Sequence, residues 1–346
     1  MKYKILGRSG LRVSELCLGT MTFGTDWNTG ADKAESRRMF DLFAERGGNF
    51  LDTANLYTNG TSEKYLGEFL ESDRERFVLA TKYSLKARPD DPNGAGNARK
   101  NMMQSVEASL KRLKTDAIDL YWVHAWDTLT PVDEIMRGLD DLVRQGKVHY
   151  VGLSDAPAWI ASRANTMADL RGWAPFVALQ IEYSLVERTV ERELIPMARA
   201  LDLAVTPWSP LGAGVLTGKY LDGGKKEGVR LAPDSLRLSD RNLRIARAVR
   251  SVAEKTGRPD AQVALNWLRA QAGVMIPILG ARSAAQLEQN LDCLEWTLEP
   301  GHRAELDEAS AIELGFPHEL IHREPVRTLI LGDRADALDP HRGDTA

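Results

Sequence analysis

Cysteine is scarce in this chain, because Cys17 and Cys293 are the only two in 346 residues. Two thiols so far apart in sequence do not form a disulfide framework, so the composition favours a reducing compartment and predicts a cytoplasmic protein. Both cysteines lie among apolar residues. We therefore interpret them as buried, inert thiols rather than as nucleophiles.

Long apolar runs and blocks of like charge are also absent. No stretch reaches the roughly 18 consecutive apolar residues that a membrane span requires, and residues 1–7 contain no apolar core of signal-peptide length. The formal net charge is −4, with acidic and basic residues interspersed. We therefore expect neither nucleic acid nor an anionic membrane as a partner. No bound metal is expected, because the six histidines suggest no ligand triad.

Short apolar runs alternate with amphipathic segments from residue 16 onward. Strict alternation of strand and helix indicates parallel strand pairing. Eight repeats favour a closed (β/α)8 barrel, the TIM barrel, over an open doubly wound sheet, and 346 residues fit such a barrel as one domain. The predicted strands are 16–18, 49–52, 77–82, 118–124, 147–153, 176–180, 203–206 and 274–278.

Local signals mark the helices between these strands. Asp32 and Glu35 have the spacing of a capping box at the start of the first helix. Thr130 and Pro131 are predicted to be the N-cap and the first residue of the fourth helix. The predicted helices are 34–46, 62–70, 99–113, 131–144, 157–170, 190–200 and one that begins near 241.

The prediction is a single domain, 1–346, in which the barrel spans 16–312. Residues 1–15 are predicted to form a β-hairpin that turns at Ser9-Gly10 and plugs the N-terminal end of the barrel. The segment 212–240 is rich in glycine and charge, and predicts a long loop over the C-terminal face. Residues 313–346 are predicted to be a C-terminal tail that either covers this face or is loose at its end.

Four residues at or just beyond predicted strand ends have complementary chemistry. Asp52, Lys82 and His124 close three strands, and Tyr57 lies in the loop after the first of them. Strand C-terminal ends share one face of a β/α barrel, so these side chains should meet there. Because an ammonium favours the phenolate, Lys82 is predicted to lower the pKa of Tyr57. The four groups would donate a proton to a carbonyl oxygen and stabilise the charge that develops on it.

The sequence around these residues resembles that of a known family. Motifs similar to the signature of the aldo-keto reductases occur, in order, at 48–57, 63–67, 80–82 and 119–124. The resemblance covers the chain from Leu6 to about Asn290. It implies that Tyr57 is the general acid, that Asp52 and Lys82 tune it, and that His124 orients the substrate.

Within that family the chain is most similar to the aryl-alcohol dehydrogenase-like branch, through residues 124–127, 130–134 and 154–159. The resemblance implies a nicotinamide cofactor across the barrel mouth, with Ser154, Asp155 and Gln180 holding the carboxamide and Trp208 stacking on the ring. Arg282 suits a 2′-phosphate, so NADPH is expected in preference to NADH.

The resemblance implies two sets of site residues. The implied cofactor-binding residues are Gly19, Thr20, Met21, Asp52, Ser154, Asp155, Gln180, Trp208, Ser209, Pro210, Leu211, Gly212, Gly214, Lys219, Gly280, Arg282, Gln286, Gln289 and Asn290. The implied substrate pocket consists of Met21, Phe23, Trp27, Tyr57, His124 and Trp126.

The expected reaction is the reversible reduction of an aldehyde or ketone to an alcohol, with hydride from nicotinamide C4 and the proton from Tyr57. An aromatic aldehyde is the first substrate expected and a bulky cyclic ketone the second. The protein is expected to be a monomer or a small homo-oligomer. Two alternatives stay open. Asp52 and Glu182 lie near strand ends and are compatible with a glycosidase carboxylate pair. A barrel of this family can also serve as a non-catalytic, NADP-binding regulatory subunit.

Overall fold

The computed structural model describes residues 1–221, 231–232 and 234–339. The chain begins with an antiparallel hairpin of two strands, β1 (Tyr3–Ile5) and β2 (Arg12–Ser14). Leu6 and Val13 of this hairpin are fully buried in the apolar cluster inside the barrel, where Trp122 also lies. The predicted hairpin plug is therefore present.

Gly7 lets the hairpin approach the barrel closely. Its φ is +53°, and a Cβ at this position would lie 2.3 Å from Val177 O, so a larger residue would be both strained and in collision. The next residue, Arg8, donates its backbone N–H to Asp202 O at 2.7 Å. The hairpin is thus fixed to the N-terminal end of the barrel.

The barrel contains eight parallel strands, as predicted. Their bounds are β3 (Cys17–Gly19), β4 (Phe50–Asp52), β5 (Val78–Tyr83), β6 (Ile118–Val123), β7 (Val148–Ser154), β8 (Phe176–Glu182), β9 (Ala204–Trp208) and β10 (Ile278–Leu279). They are hydrogen-bonded in the order β10-β3-β4-β5-β6-β7-β8-β9. Each strand therefore pairs with its neighbour in sequence, which is the topology of a (β/α)8 barrel.

The last barrel strand, β10, overlaps the predicted segment 274–278 only at Ile278 and extends one residue beyond it. The residues before β10 still bond to β9. Val205 N donates to Val274 O at 2.8 Å, and Ile276 N donates to Val205 O at 2.9 Å. These two bonds close the barrel between its first and last strands in the sheet order.

Helices surround the barrel and bury their apolar sides against it. A cluster of buried apolar side chains fills the layer between the sheet and these helices. No described helix is both long and apolar enough to cross a membrane. The helices are α1 (Lys33–Glu45), α2 (Thr61–Phe69), α3 (Arg99–Leu113), α4 (Val132–Arg144), α5 (Ala158–Arg171), α6 (Leu194–Ala200), α7 (Asp240–Thr256), α8 (Asp260–Arg269), α9 (Ala284–Leu291), α10 (Pro300–Ala309), α11 (His318–Ile321) and α12 (Glu324–Leu331).

The predicted cap of α1 is confirmed, although the helix begins at Lys33, one residue before the predicted start. Asp32 is its N-cap, and Asp32 Oδ1 accepts from Glu35 N at 2.8 Å. Glu35 does not complete the predicted capping box, because its Oε1 accepts from Ala284 N at 2.6 Å. This side chain therefore ties the start of α1 to the start of α9 rather than closing on its own helix.

The predicted start of α4 is wrong by one residue. Pro131, not Thr130, is the N-cap of this helix, and Val132 is its first residue. The Thr130 hydroxyl donates to Asp127 Oδ2 at 2.7 Å. Thr130 therefore lies one residue before the cap, bonded to Asp127 of the preceding loop, and no side chain caps this helix.

The two predicted irregular segments are described in part. In the loop 212–240, the structure contains short 3-10 turns at Gly212–Thr217 and Leu236–Leu238, while residues 222–230 and 233 lie outside the described residues. In the C-terminal segment, α11 and α12 contain no buried residue. Residues 340–346, the end of the predicted tail, are likewise outside the description.

Candidate active site

The C-terminal ends of the barrel strands surround a cavity of about 520 Å³, which is within the usual range for small-molecule sites. Each barrel strand contributes a lining residue from its last positions or from the loop that follows it. The predicted site residues in this lining are Gly19, Met21, Trp27, Asp52, Tyr57, His124, Ser154, Asp155, Gln180, Trp208, Ser209, Pro210, Leu211, Gly214, Lys219, Gly280, Arg282, Gln286 and Asn290.

A buried ammonium connects three of the four predicted catalytic residues. Lys82 Nζ donates to Tyr57 Oη at 3.0 Å, to Asp52 Oδ2 at 2.5 Å and to Thr53 O at 2.7 Å. Lys82 is fully buried and Asp52 is 2 % exposed, so water screens this ion pair little. Three acceptors use all three N–H donors of the ammonium, and this fixes its direction.

Strand pairing explains why these side chains meet. In the register of β4 and β5, Asp52 is paired with Ala80. Side chains alternate along a strand, so Lys82 projects on the same face of β5 as Ala80, which belongs to the apolar cluster inside the barrel. The lysine therefore points inward at the last layer of the barrel, beside the carboxylate that ends the neighbouring strand.

Burial decides the ionisation of Tyr57. Burial raises the pKa of Tyr57 above its usual value, and the Lys82 ammonium opposes this without cancelling it. Lys82 thus acts in the predicted direction, but the net shift is upward rather than downward. Burial lowers the pKa of Lys82, yet Asp52 and Tyr57 outweigh it and the pKa is raised. At neutral pH the site therefore contains a protonated phenol beside a charged ammonium.

His124 completes the cluster as a neutral ring. It packs edge-on against Tyr57, with ring centroids 5.8 Å apart and planes at 80°. Burial, and then the nearby Lys82 charge, lowers the pKa of His124 to about 2. Its Nδ1 is buried and has no hydrogen-bond partner among the described residues. A neutral imidazole has one donor and one acceptor nitrogen, so it can orient a substrate oxygen without carrying charge into the site.

Side chains suited to an amide lie beyond this cluster, at the ends of β7, β8 and β9. Gln180 Nε2 donates to Asp52 Oδ1 at 3.1 Å, which orients its amide within the cavity lining. Trp208 Nε1 donates to Asp155 Oδ1 at 3.0 Å, so the indole is held in place. Ser154 Oγ is buried and has no partner in the described part of the chain. Hydroxyl, carboxylate and amide groups here match the donors and acceptors of a carboxamide.

The cavity continues to the start of α9, which suits a phosphate. Ser283 caps this helix, since its Oγ accepts from Gln286 N at 3.2 Å, and Gln286 Oε1 accepts from Arg282 N at 2.9 Å. Helix N-termini favour phosphate groups. Asn290 is 2 % exposed, and its Nδ2 lacks a partner among the residues described. A buried donor left unpaired is costly, so a ligand acceptor would stabilise it.

A glycine turn adjoins a lysine that also lines the cavity. Gly214 has φ +97°, a backbone conformation that residues with a Cβ rarely adopt. The end of the Lys219 side chain lies beside this glycine, where a Cβ would be 2.9 Å from Nζ. Lys219 therefore lies against its own loop within the cavity lining, where an ammonium would attract a phosphate.

Some predicted site residues do not line the cavity. Thr20 lies behind it, with Oγ1 donating to Asp52 O at 3.0 Å, and Lys82 is buried in the same layer. Phe23 is fully buried with its ring against Phe69, and Trp126 packs against the outer core cluster. The structure therefore puts neither aromatic at the substrate-pocket wall predicted for it. Two other predicted residues also lie outside the lining, the buried Gly212 and the exposed Gln289.

The lining also contains residues that sequence reasoning missed. Leu56 and Leu85 contribute apolar residues to the lining. Their positions in the sequence could have identified them, because Leu56 precedes the tyrosine and Leu85 follows β5 by two residues. The other missed lining residues are Thr22, Ala213, Thr217, Ile278, Leu279 and Ala281.

The carboxylate pair of a glycosidase does not form here. Glu182 is ion-paired with Arg237 and does not line the central cavity, while Asp52 is engaged by Lys82 and Gln180. The hydrolase interpretation therefore lacks both of its free carboxylates. As a separate point, no three histidine, cysteine, aspartate or glutamate side chains among the described residues are arranged to hold a metal ion.

The site thus combines a parallel barrel, a Tyr-Lys-Asp-His cluster and an adjoining cavity. Comparison with known proteins assigns the chain to a class of oxidoreductases. The chain belongs to the aldo/keto reductase family, whose family model matches residues 15–311. Members of this family use nicotinamide cofactors.

Individual relatives are similar over most of their length. The aryl-alcohol dehydrogenase [NADP(+)] of Phanerodontia chrysosporium is 35 % identical over 353 residues, covering 96 % of this chain and 89 % of the relative. A norsolorinic acid reductase of Aspergillus flavus is 35 % identical over 337 residues, covering 94 % and 85 %. An aryl-alcohol dehydrogenase of Pestalotiopsis microspora is 36 % identical over 330 residues, covering 92 % and 85 %. These relatives support an oxidoreductase activity and the similarity to the aryl-alcohol dehydrogenase-like branch.

Proposed function

We propose that this protein is an NADPH-dependent reductase of aldehydes or ketones, acting reversibly, with Tyr57 as the proton donor. One observation carries the proposal: the Lys82 ammonium lies 3.0 Å from Tyr57 Oη and is fixed by Asp52. A phenol is a weak acid in water. Beside a fixed ammonium, the phenolate that it leaves after giving up its proton is stabilised at the moment it forms.

The cavity residues fit a nicotinamide nucleotide. The buried Ser154 Oγ and Asn290 Nδ2, both without partners in the described chain, offer hydrogen bonds to an amide at one end and to the adenosine portion at the other. Asp155 fixes the Trp208 indole, which is a ring of suitable size for stacking. When bound, the cofactor supplies a hydride to the carbonyl carbon.

The chain's own residues then control the proton. Negative charge develops on the carbonyl oxygen as the carbon is reduced, and the Tyr57 hydroxyl donates its proton to that oxygen. The neutral His124 ring, packed on Tyr57, orients the oxygen. Lys82 stabilises the resulting phenolate, and Asp52 keeps the ammonium in position. In the alcohol-to-carbonyl direction, the same phenolate takes the proton back.

A preference for NADPH over NADH is part of the proposal. Arg282 precedes the capped start of α9 and lines the cavity, where a guanidinium suits a 2′-phosphate. The relative from Phanerodontia chrysosporium carries NADP(+) in its name.

A reducing, cytoplasmic location is also part of the proposal. The two free cysteines are buried, which agrees with such a location.

An aromatic aldehyde is the proposed substrate class. The cavity lining contains Met21, Trp27, Leu56 and Leu85, all apolar or aromatic, and the Trp27 ring packs edge-on against Tyr57. Such walls favour a flat, uncharged ring, with the carbonyl directed toward the polar cluster. The names of two relatives, aryl-alcohol dehydrogenases, support the same class.

The test is NADPH oxidation with 4-nitrobenzaldehyde, measured for the wild type and for Tyr57→Phe, and repeated with NADH. We expect turnover that prefers NADPH and that falls by about 10²–10³-fold in the variant, since one transition-state donor is removed. Binding of NADPH, followed by quenching of tryptophan fluorescence, should be preserved in Tyr57→Phe. Full activity of the variant would exclude Tyr57 as the acid. Tight NADPH binding without turnover on a panel of aldehydes would instead support the regulatory-subunit alternative.

A further inference from the structure

The turn that follows Tyr57 has an unusual backbone. Thr58 has φ +46° and ψ +45°, and Asn59 has φ +55° and ψ +33°. Both are therefore left-handed, although neither is glycine, and Gly60 continues in the same region with φ +90°. A β-branched residue rarely adopts this conformation, so the rest of the structure has to hold Thr58 in it.

Thr58 is held through its hydroxyl. The side chain is fully buried, and Oγ1 donates to Phe23 O at 2.6 Å while it accepts from Ser62 N at 3.1 Å. Ser62 lies in the first turn of α2, whose N-cap, Gly60, has no side chain to cap it. The Thr58 hydroxyl thus joins the start of α2 to the loop after β3.

The same turn reaches that loop at a second point. Asn59 Oδ1 accepts from Trp27 Nε1 at 3.4 Å. The Trp27 ring lies edge-on to Tyr57, with centroids 6.4 Å apart and planes at 79°. Both residues after Tyr57 therefore bond to the loop whose tryptophan packs on its ring.

A cluster of buried hydroxyls connects Thr58 to the lysine. Ser62 Oγ lies 2.8 Å from both Thr20 Oγ1 and Thr53 Oγ1, and all of these side chains are fully buried. Thr53 O is one of the three acceptors of Lys82 Nζ. The backbone that directs Tyr57 and the backbone that directs Lys82 therefore share one set of hydrogen bonds.

We infer that Thr58 is a positioning residue, which holds the Tyr57 hydroxyl against Lys82 by locking the left-handed turn to the loop after β3 and to α2. This inference rests on the proposed function only for its kinetic consequence. A purely structural role, as a helix cap, would lower stability without changing the relation between Tyr57 and Lys82. The two interpretations therefore differ in what they predict for the phenol itself.

The test compares Thr58→Val, which keeps the shape and loses the hydroxyl, with Thr58→Ser, which keeps the hydroxyl. Thr256→Val is the matched control, since Thr256 Oγ1 donates to Val252 O at 2.8 Å in the last turn of α7. In 4-nitrobenzaldehyde reduction we expect kcat of Thr58→Val to fall by about 10- to 100-fold, as for a misplaced catalytic group. The KM for NADPH should stay within about twofold, because binding is not altered.

The expected rescue is specific to the hydroxyl. Thr58→Ser should retain kcat within about threefold of the wild type, and Thr256→Val should match the wild type. The inference would be overturned if Thr58→Val kept its kcat. It would also be overturned if Thr58→Val and Thr256→Val showed the same loss of kcat and the same rise in KM. If Thr58→Val does not fold, Thr58→Ala replaces it, since alanine tolerates the left-handed region better than a β-branched residue.

A second readout does not depend on turnover. With ¹³Cζ-labelled tyrosine, the Tyr57 resonance, assigned by its loss in Tyr57→Phe, reports the charged groups that face the phenol. These groups are Lys82, Asp52 and Asp155, with the His124 ring alongside. At neutral pH we expect this resonance to move in Thr58→Val but not in Thr58→Ser or Thr256→Val. An unmoved resonance would refute the positioning role even if the wild type proved inactive, whereas wild-type inactivity alone would refute only the proposed function.

Discussion

The two ends of the barrel differ in where they use left-handed backbone. Ten non-glycine residues of the described chain have positive φ, and eight of them lie in loops that leave the C-terminal ends of strands. The remaining two, Lys114 and Asp202, lie in loops at the opposite end. The eight at the mouth are Asn28, Thr58, Asn59, Ser84, Thr128, Asp155, Ser209 and Ala213.

The difference indicates where backbone strain serves a purpose. Lys114 is the C-cap of α3, a position at which left-handed residues are common. At the mouth, Asp155 and Ser209 line the cavity, and Thr58 follows the proposed acid. Such residues cost about 1–3 kcal/mol each, and they persist only where the surroundings determine them. We therefore expect that the mouth gives up stability to direct side chains, whereas the opposite end follows ordinary rules for ending helices.

Breaking one ion pair at each end should give the largest effect. Lys82→Met removes the partner of Asp52, and we expect it to lower kcat/KM by about 10²–10³-fold and to destabilise the fold by about 3–5 kcal/mol. Arg269→Met removes the partner of Glu15, whose Oε2 lies 2.8 Å from Arg269 Nη2. We expect it to cost about 1–3 kcal/mol, because both side chains are slightly exposed, and to leave activity unchanged.

Urea unfolding and NADPH oxidation measure the two quantities separately. If the two variants lost activity equally, the Lys82–Asp52 ion pair would affect activity only through the stability of the fold. The end of the barrel at which an ion pair lies would then make no difference to catalysis.

The second largest difference between the two ends should appear in how the free energy of unfolding depends on pH. The folded pKa of His124 is lowered to about 2, whereas an unfolded histidine titrates near 6.5. Between these values the unfolded state binds one more proton, so stability falls as the pH is lowered through 6.5 and continues to fall toward 2. From pH 7 to pH 5 this group should cost about 2 kcal/mol.

His124→Gln tests this dependence, with His149→Gln as control, because His149 is an exposed residue near the start of β7. Unfolding free energies at pH 7 and pH 5 should differ by about 2 kcal/mol less in His124→Gln than in the wild type. The control should retain the wild-type difference. An unchanged difference in His124→Gln would mean that the imidazole is protonated in the folded protein.

Much of the fold and part of the site follow from the sequence. Alternating apolar runs identify the eight strands, and the position of Asp52, Lys82 and His124 at strand ends brings them together because parallel strands end on one face. The length of the last strand was less predictable. Its residues from 274 onward bond to β9 individually without forming a regular ladder, and apolar pattern does not distinguish these cases.

The rest depends on contacts that sequence position does not determine. Phe23 and Trp126 have the side chains of pocket walls, but packing of their loops turns them to the core. The pKa of Tyr57 depends on how much burial outweighs one ammonium, and burial is a tertiary property. Thr130 does not cap α4, which begins one residue later than predicted, and its hydroxyl bonds to the Asp127 carboxylate three residues earlier. Such competitions between neighbouring groups are settled only when the loops are in place.

Replacing one left-handed residue by glycine at each end should give the smallest effect and the most direct comparison. Glycine adopts this conformation without strain. Lys114→Gly, at the C-cap of α3, should therefore raise the free energy of unfolding by up to about 1 kcal/mol and leave kcat unchanged. Asn59→Gly removes a similar strain, but it also removes the acceptor of Trp27 Nε1.

Because Trp27 lies edge-on to Tyr57, we expect kcat of Asn59→Gly to fall by about three- to tenfold while stability rises or stays level. Urea unfolding and 4-nitrobenzaldehyde reduction measure the two quantities. A stabilised variant with less activity would show that the asparagine at this left-handed position serves the placement of the phenol, through its bond to Trp27, and not the stability of the fold. If Asn59→Gly and Lys114→Gly changed kcat and the free energy of unfolding to the same extent, the two ends would differ only in the shapes of their loops.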